Sequence, residues 1–265
     1  MKYAIKKEFT DKELIQRVTD VLEIRNVMGK HSYNHSKGMH QQELKEIWVQ
    51  KPENQRTASF GQNWGYNVGM ERIDAYYGRG SVENYQKELD ELSAYDPSVE
   101  NKPENLGIGS LVIHALTAPY IEVAGDGKTA QGLWYTPGAV GGTHPGHSNG
   151  MVMYEKYGVD FVKEDGEWKI WHLFIGTDFS TPAGKNLEGD TPLEIERKKA
   201  AGEWEEPKGG FGMAMPDDPN FIPMDAYSLK YNYSFYPPLP EPYYSFDECI
   251  SNGPEGNPNY KKEAK

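Results

Sequence analysis

The sequence predicts an α+β fold in which helices come first and an antiparallel sheet follows. Three observations support this prediction. Apolar side chains recur at helical spacing over residues 10–37. Two runs of alternating apolar residues flank the turn Gly125-Asp126-Gly127. Two more runs flank Asp165-Gly166, and they form the strongest hairpin signal in the chain.

The first helix is predicted over residues 10–37. Thr10 and Glu13 fit a capping box, and Gly38 is a plausible stop. The side chains that recur at helical spacing are Leu14, Val18, Val21, Leu22, Arg25 and Met28.

Shorter helices are predicted after it. One spans about 40–48 and buries Leu44, Ile47 and Trp48. Several glycines interrupt residues 52–80, where the stretch 68–77 is predicted as either a helix or a covering loop. A further helix starts at about residue 81 and ends before Pro97.

The second half of the sequence predicts a meander of four strands. Residues 108–123 and 129–136 pair around the first turn, and a glycine-rich loop over 137–150 follows. A third strand is predicted over 151–163 and a fourth over 168–175. We expect the glycine-rich loop to be a mobile lid or an interface loop.

Regular periodicity fades after Thr177. One short helix is expected at about 191–201. The stretch 221–246 is dense in Tyr, Phe and Pro, which predicts an ordered arm on its own domain or on a neighbouring subunit. Residues 253–265 are expected to fray.

Composition excludes several classes of protein. The net charge of −12 argues against binding to a nucleic-acid backbone. The single Cys249 allows no internal disulfide. The start of the sequence is too polar for a signal peptide, and no apolar run reaches membrane-spanning length. We therefore expect a cytoplasmic protein without a membrane partner.

His114 is the strongest candidate for chemistry. The alternation of a strand would place His114, Leu116, Ala118 and Tyr120 on one face. An imidazole among apolar neighbours stays neutral near pH 7, so it can take a proton from carbon next to a carbonyl. The alternative is a histidine that merely bonds a backbone carbonyl.

Other polar side chains form a second group of candidates. His31 and His35 are four residues apart and share a helix face, as an acid and an orienting group or as ordinary residues near a helix end. His172, on the last strand, and Asp178 just beyond it are candidates for the pocket floor, the alternative for His172 being a histidine packed between sheet and helix. Asp160 is a weaker acid candidate. His144 and His147 supply two imidazoles, whereas a zinc site needs three or four ligands, so no metal is expected.

Several of these features together resemble the SnoaL-like branch of the nuclear-transport-factor-2-like superfamily. They are the first helix with residues 24–33, the second helix ending in Trp48, the strand histidine His114, the glycine-flanked turn and the run Asp165 to His172. The resemblance covers roughly residues 10–176. It implies a conical α+β barrel formed by residues 1–178, with an enlarged region at 50–105. Residues 179–265 would form an extended arm rich in proline and aromatic residues.

The resemblance also implies a pocket that uses no cofactor and has aromatic walls. His114 matches the catalytic base of the dehydratases and dehydrohalogenases of this superfamily. The aspartate expected near the end of the first helix is missing, which leaves His35, His31 and Tyr33 as its possible replacements. The candidates for contacts with the substrate are Tyr120, Tyr135, Trp134, His172 and Trp48.

The function predicted on this basis is that of a lyase or isomerase, with dehydration as the first choice. Its substrate would be a small hydrophobic cyclic or aromatic metabolite. The alternative is a non-catalytic protein of the same fold that binds a small molecule or serves in assembly. A homo-oligomer, dimer or trimer, is expected in either case.

Overall fold

A computed structural model describes residues 8–144, 147–182, 197, 200–203, 236–258 and 260. Its helices are α1 (Asp11–Ser36), α2 (His40–Glu46), α3 (Pro52–Gln55), α4 (Met70–Ile73) and α5 (Arg79–Tyr95), with a π-helical turn at Asp74–Gly78 and 3-10 turns at Pro103–Asn105 and Phe246–Glu248. Its strands are β1 (Ser59–Gln62), β2 (Gly65–Val68), β3 (Ser110–His114), β4 (Thr117–Val123), β5 (Thr129–His144), β6 (His147–Glu164) and β7 (Glu167–Pro182).

The α+β cone predicted from the sequence is confirmed. The strands form one curved sheet in the order β2-β1-β7-β6-β5-β3, and β4 pairs with the first half of β5. All neighbours are antiparallel except β1 and β7, which run parallel. The core lies between this sheet and the helices, where Ile24 and Met28 of α1 pack with Tyr157 and Leu173. No helix among the described residues is long and apolar enough to cross a membrane.

The capping box predicted for α1 is confirmed. The Thr10 amide donates to Glu13 Oε2 at 2.9 Å, and the Thr10 hydroxyl accepts from the Glu13 amide at 3.4 Å. The predicted apolar face is only partly buried, because Leu14, Val18 and Leu22 remain exposed. The buried stripe of α1 is instead Asp20, Ile24, Met28, His31 and Asn34. A polar group thus occupies the buried face at both ends of that stripe.

The helices predicted at about 40–48 and from about 81 to Pro97 are confirmed, and one pair of strands was not predicted. The segment α2 ends two residues early, with Trp48 buried just beyond it. The segment α5 ends at Tyr95, before Pro97. The hairpin β1–β2 was missed because two of its eight residues, Gly61 and Gly65, weaken the strand pattern.

The single strand predicted over residues 108–123 is wrong. The predicted strand is interrupted between β3 and β4. Strand β3 pairs with residues 138–142 of β5, and β4 pairs with residues 130–135. A further irregularity follows at Ala118, whose φ is 47°. The alternation that would place Tyr120 on the same face as His114 is therefore lost, and Tyr120 is exposed.

The glycine-rich loop predicted over residues 137–150 is also wrong. Strand β5 continues to His144, and strand β6 begins at His147. Close strand approach explains one of these glycines. A Cβ at Gly138 would lie 2.6 Å from the Ile113 carbonyl oxygen and 3.1 Å from His114 Nδ1. Gly138 therefore allows β3 to lie against β5 at the level of His114.

The described residues 236–258 and 260 form the carboxy-terminal segment, which packs on the face of the sheet opposite α1. There Tyr236 and Tyr260 contact Phe174 and Tyr66. Residues 253–258 and 260 are ordered against the chain, so the expectation that they fray is wrong. Of the arm predicted over residues 221–246, only residues 236–246 lie in the described part, and the arm stays a prediction. The helix expected at about 191–201 lies almost entirely outside the described part.

The carboxylate of Asp160 on β6 attaches this segment. It is completely buried and accepts hydrogen bonds from Ser251 Oγ at 3.0 Å, the Asn252 amide at 2.7 Å and Asn252 Nδ2 at 2.7 Å. Gln131 Nε2 and His172 Nδ1 each lie 2.8 Å from the same carboxylate. A buried charge needs such donors to offset its lost hydration.

We expect Asn252→Ala to lower the free energy of unfolding by about 1.5–3 kcal/mol, because one donor to a buried carboxylate is lost. Urea denaturation followed by circular dichroism measures this. The matched control is Asn101→Ala, which removes an exposed amide that bonds Asp90, and it should stay within about 0.5 kcal/mol of the parent. Equal losses in both variants would contradict the role of Asn252.

Candidate active site

A cavity of about 430 Å³ lies between the sheet and the helices. Its volume is within the range of small-molecule sites, roughly 300–1,000 Å³. Its walls come from helices α1, α2 and α5, the π-helical turn, and strands β1 and β3. Residues 140–142 of β5 and residues between 150 and 157 of β6 also contribute. The residues lining it are His35, His40, Phe60, Gln62, Trp64, Tyr77, Ser81, Asn84, Tyr85, Glu88, Ser110, Val112, His114, Val140, Gly141, Gly142, Gly150, Met151, Met153, Glu155, Tyr157 and Ile175.

His114, the last residue of β3, is buried in the cavity wall. Its Nδ1 lies 3.0 Å from Glu155 Oε2, at an angle that does not give a well-directed hydrogen bond. The other oxygen of Glu155 accepts from Thr177 Oγ1 at 3.0 Å, which fixes the carboxylate. Because Nδ1 faces Glu155, Nε2 is the ring nitrogen left for a ligand.

His35, from the last turn of α1, lies beside His114 with ring centroids 5.0 Å apart. Its Nδ1 is 3.0 Å from the Tyr77 hydroxyl and 2.9 Å from His40 Nε2. Tyr77 donates its own hydrogen to Glu43, so towards His35 it can only accept. We assign the ring hydrogen of His35 to Nδ1 on this basis, which leaves Nε2 as an acceptor.

Behind these histidines, the carboxylate of Glu43 is completely buried. It accepts from the Tyr77 hydroxyl at 3.0 Å and from Trp48 Nε1 at 3.0 Å, and its Oε1 lies 2.9 Å from His31 Nδ1. Three donors thus surround one charge. This network links α1, α2, the segment after α2 and the π-helical turn.

Burial sets the protonation of the cavity wall. Desolvation, reinforced by the neighbouring histidines His40, His114 and His31, lowers the pKa of His35 well below 6.5. Desolvation also lowers the pKa of His40 to about 4, although nearby Glu43 acts in the opposite direction. The pKa of Tyr77 is raised, first by burial and then by Glu43. These three side chains are therefore neutral near pH 7.

Of the nine site residues predicted from the sequence, the structure brings two, His114 and His35, into the cavity. Two more, His31 and Trp48, lie directly behind it and meet at Glu43. His31 stacks on His35 with ring centroids 5.7 Å apart.

The other five lie elsewhere. Tyr33, Tyr120 and Tyr135 are exposed by 62%, 38% and 44% and do not line the cavity. Trp134 is buried in the core against Phe161. His172 is buried beside Asp160 on the face of the sheet that carries the carboxy-terminal segment.

Asp178, predicted for the pocket floor, and Asp160, the weaker acid candidate, also lie outside the cavity lining. Asp160 holds the carboxy-terminal segment, and Asp178 lies 3.1 Å from Lys156 Nζ. Burial raises the pKa of Asp178, and Lys156 opposes that shift. His144 and His147 pair at the end of the β5–β6 hairpin. No group of three or more His, Cys, Asp or Glu side chains among the described residues is arranged to hold a metal ion.

Five members of the site were not predicted from the sequence. They are the carboxylates of Glu43 and Glu155 and the side chains of His40, Tyr77 and Tyr157. Glu155 had a usable signal. It alternates with Met153 and Tyr157 on the cavity face of β6, where a carboxylate among apolar side chains stands out. Glu43 had none, because its three donors come from separate segments.

The comparison with protein families agrees with this architecture. The SnoaL-like domain family matches residues 16–173 of this chain. The chain belongs to this family. The resemblance stated from the sequence is therefore confirmed. Family membership leaves the reaction open, because one fold hosts many functions.

Several solved structures are similar to this chain at low identity. A hexachlorocyclohexane dehydrochlorinase, LinA-type3, from Novosphingobium barchaimii is 16% identical, with a TM-score of 0.43 over 65% of this chain and 97% of its own. A candidate scytalone dehydratase from Novosphingobium aromaticivorans is 17% identical, with a TM-score of 0.42 over 64% and 96%. A nuclear transport factor 2-like protein from Salmonella enterica is 16% identical, with a TM-score of 0.41 over 62% and 95%. No curated protein matches the sequence.

We expect acid to destabilise the fold through the buried neutral histidines. A histidine whose pKa is lower in the folded state takes up its proton first in the unfolded state, so stability falls as pH drops below 6.5. His40 alone should cost about 2 kcal/mol between pH 7 and pH 5. Urea unfolding at pH 7, 6 and 5 measures this dependence.

The variant His40→Gln keeps a hydrogen-bonding group near His35 but cannot titrate. Its free energy of unfolding should fall less over the same pH range than that of the parent. An unchanged pH dependence would show that His40 does not carry the effect.

Proposed function

We propose that this protein is a cofactor-independent lyase or isomerase, with dehydration as the preferred reaction, acting on a small hydrophobic cyclic or aromatic substrate. The observation that supports it is the pairing of His114 with Glu155 in the wall of a cavity of substrate size. The side chains of Phe60, Tyr157 and Met153 provide the apolar surface for a ring.

In this proposal His114 is the general base. The Glu155 carboxylate favours the tautomer with hydrogen on Nδ1, which leaves the Nε2 lone pair for a C–H bond next to a carbonyl. Proton transfer makes His114 a cation, and Glu155 stabilises that cation from 3.0 Å. The same proton then passes to the departing hydroxyl, a carbon–carbon double bond forms, and water leaves. The contact between His114 Nδ1 and Glu155 would become a well-directed hydrogen bond as the charge develops.

His35 has a different part in the proposal. Its low pKa makes it a weak base, and its assigned tautomer presents a lone pair on Nε2. It would therefore accept a hydrogen bond from a substrate hydroxyl and position it beside His114. Tyr77 and Glu43 would hold His35 in that tautomer, as positioning residues rather than catalytic ones.

Glu155 supplies the carboxylate partner that the sequence of the first helix lacks. An aspartate is missing from the end of the first helix, but a carboxylate from β6 approaches His114 instead. A histidine bonded only to backbone would favour a non-catalytic binding protein, and the Glu155 contact favours the enzyme. The homo-oligomer and the cytoplasmic location stay predictions.

We expect His114→Ala to reduce kcat/KM by about 10³-fold and Glu155→Gln by about 10²-fold, in the range that general acid–base groups supply. The assay follows the absorbance of the unsaturated ketone formed from a panel of cyclic β-hydroxy ketones. Tyr120→Phe, which changes an exposed phenol outside the cavity, should leave the rate unchanged.

Two results would contradict the proposal. One is turnover that survives in His114→Ala. The other is that the parent protein binds panel members, as measured by calorimetry, but converts none of them. That result would favour the non-catalytic binding protein.

A further inference from the structure

The cavity has a second polar end, away from the histidines. Ser110 and His114 are the first and last residues of β3, and both line the cavity. Four residue steps along a strand correspond to about 13 Å. A ligand that fills the cavity therefore meets two separate polar groups.

Glu88 forms this second end. It lies on α5, its Oε1 accepts from Asn84 Nδ2 at 3.0 Å, and its Oε2 accepts from Ser110 Oγ at 2.8 Å. The donors Asn84 and Ser110 are neutral and hold the carboxylate in place between helix and strand. No described lysine, arginine or histidine forms an ion pair with Glu88. The charge of this carboxylate is thus left for a ligand to balance.

The charges along the cavity all have one sign. Its two carboxylates, Glu88 and Glu155, are unopposed by any lysine or arginine among the described lining residues. Low pKa values keep His35 and His40 neutral near pH 7. The whole chain carries a net charge of −12, which favours approach of cations over anions. A carboxylate or phosphate group would be poorly accommodated in this cavity.

An aromatic ring adjoins Glu88. Tyr85 is one helical turn before it on α5, and both side chains line the cavity. A carboxylate and a phenol ring in the same cavity wall are a combination that attracts an ammonium group, through charge and through the ring quadrupole.

We infer that the Glu88 end of the cavity is a subsite for an ammonium group, so that the substrate is an amine whose cationic nitrogen lies far from its reacting carbon. This inference rests on the proposed function for the position of the reacting end at His114. The inferred substrate class is cationic. Compounds that carry a carboxylate or a phosphate group are not expected to be substrates.

The test compares three ligands that share one ring system and differ in charge: 6-(aminomethyl)-2-naphthol, 6-(hydroxymethyl)-2-naphthol and 6-hydroxy-2-naphthoate. Isothermal titration calorimetry with the full chain at pH 7 measures each Kd. We expect the amine to bind about tenfold more tightly than the alcohol, and the carboxylate more weakly than both. The readout is binding, so it does not depend on turnover.

Two variants locate the subsite. Glu88→Gln should bring the Kd values of amine and alcohol together, because the amide keeps the hydrogen bond to Ser110 without the charge. Glu91→Gln, at an exposed position of the same helix, removes an equal charge outside the cavity and should preserve the preference. Unchanged melting temperatures confirm that both variants fold.

Four results would overturn the inference: no binding of the amine up to millimolar concentration, a carboxylate that binds as tightly as the amine, a preference that survives in Glu88→Gln, or a preference lost only in Glu155→Gln. The last would place the cation at the histidine end. The first three results leave the roles proposed for His114 and Glu155 untouched, and the turnover assay tests those roles separately.

Discussion

The cavity depends on the burial of the Glu43 carboxylate. A buried charge is tolerated only when donors replace its water, and here these are a phenol, an indole and an imidazole. Each donor comes from a different segment, so one carboxylate fixes the relative positions of α1, α2 and the turn before α5. The orientation of His35 follows, because Tyr77 cannot donate to both Glu43 and His35. Site geometry and fold stability therefore rest on the same contact.

Strand β6 carries a different role on each face. Met153, Glu155 and Tyr157 line the cavity. On the opposite face, Gly158 lies so close to Pro237 and Asn252 that a Cβ at this position would clash with both. The bulges in the β6–β7 register, after Tyr154 and after Asp160, adjust which side chains face each way. The sheet is thus covered on both sides around Gly158, whereas Ile113, Val152 and Tyr154 stay exposed.

The sequence predicted the class of fold and the position of His114, because helix caps and Asp-Gly turns are local signals. It failed where pairing between distant strands decides the outcome. The glycines at 138, 141 and 142 suggest a loop in isolation, but they are strand residues where β3 approaches β5. Glu155 lies within the strand predicted over 151–163, but its contact with His114 depends on how β3 and β6 lie across β5, which the sequence of one strand does not encode. Glu43 depends on how α2 turns back against α1, which no local pattern encodes.

The attachment of the carboxy-terminal segment bears on where this family domain ends as a physical unit. The family match stops at residue 173, yet three of the five hydrogen bonds to Asp160 come from Ser251 and Asn252. A fragment cut at the family boundary would leave the Asp160 carboxylate with only Gln131 and His172 among these hydrogen-bond partners. It would also expose the aromatic surface around Tyr66. The packed structure around Asp160 and Tyr66 therefore extends beyond the region by which the family is recognised.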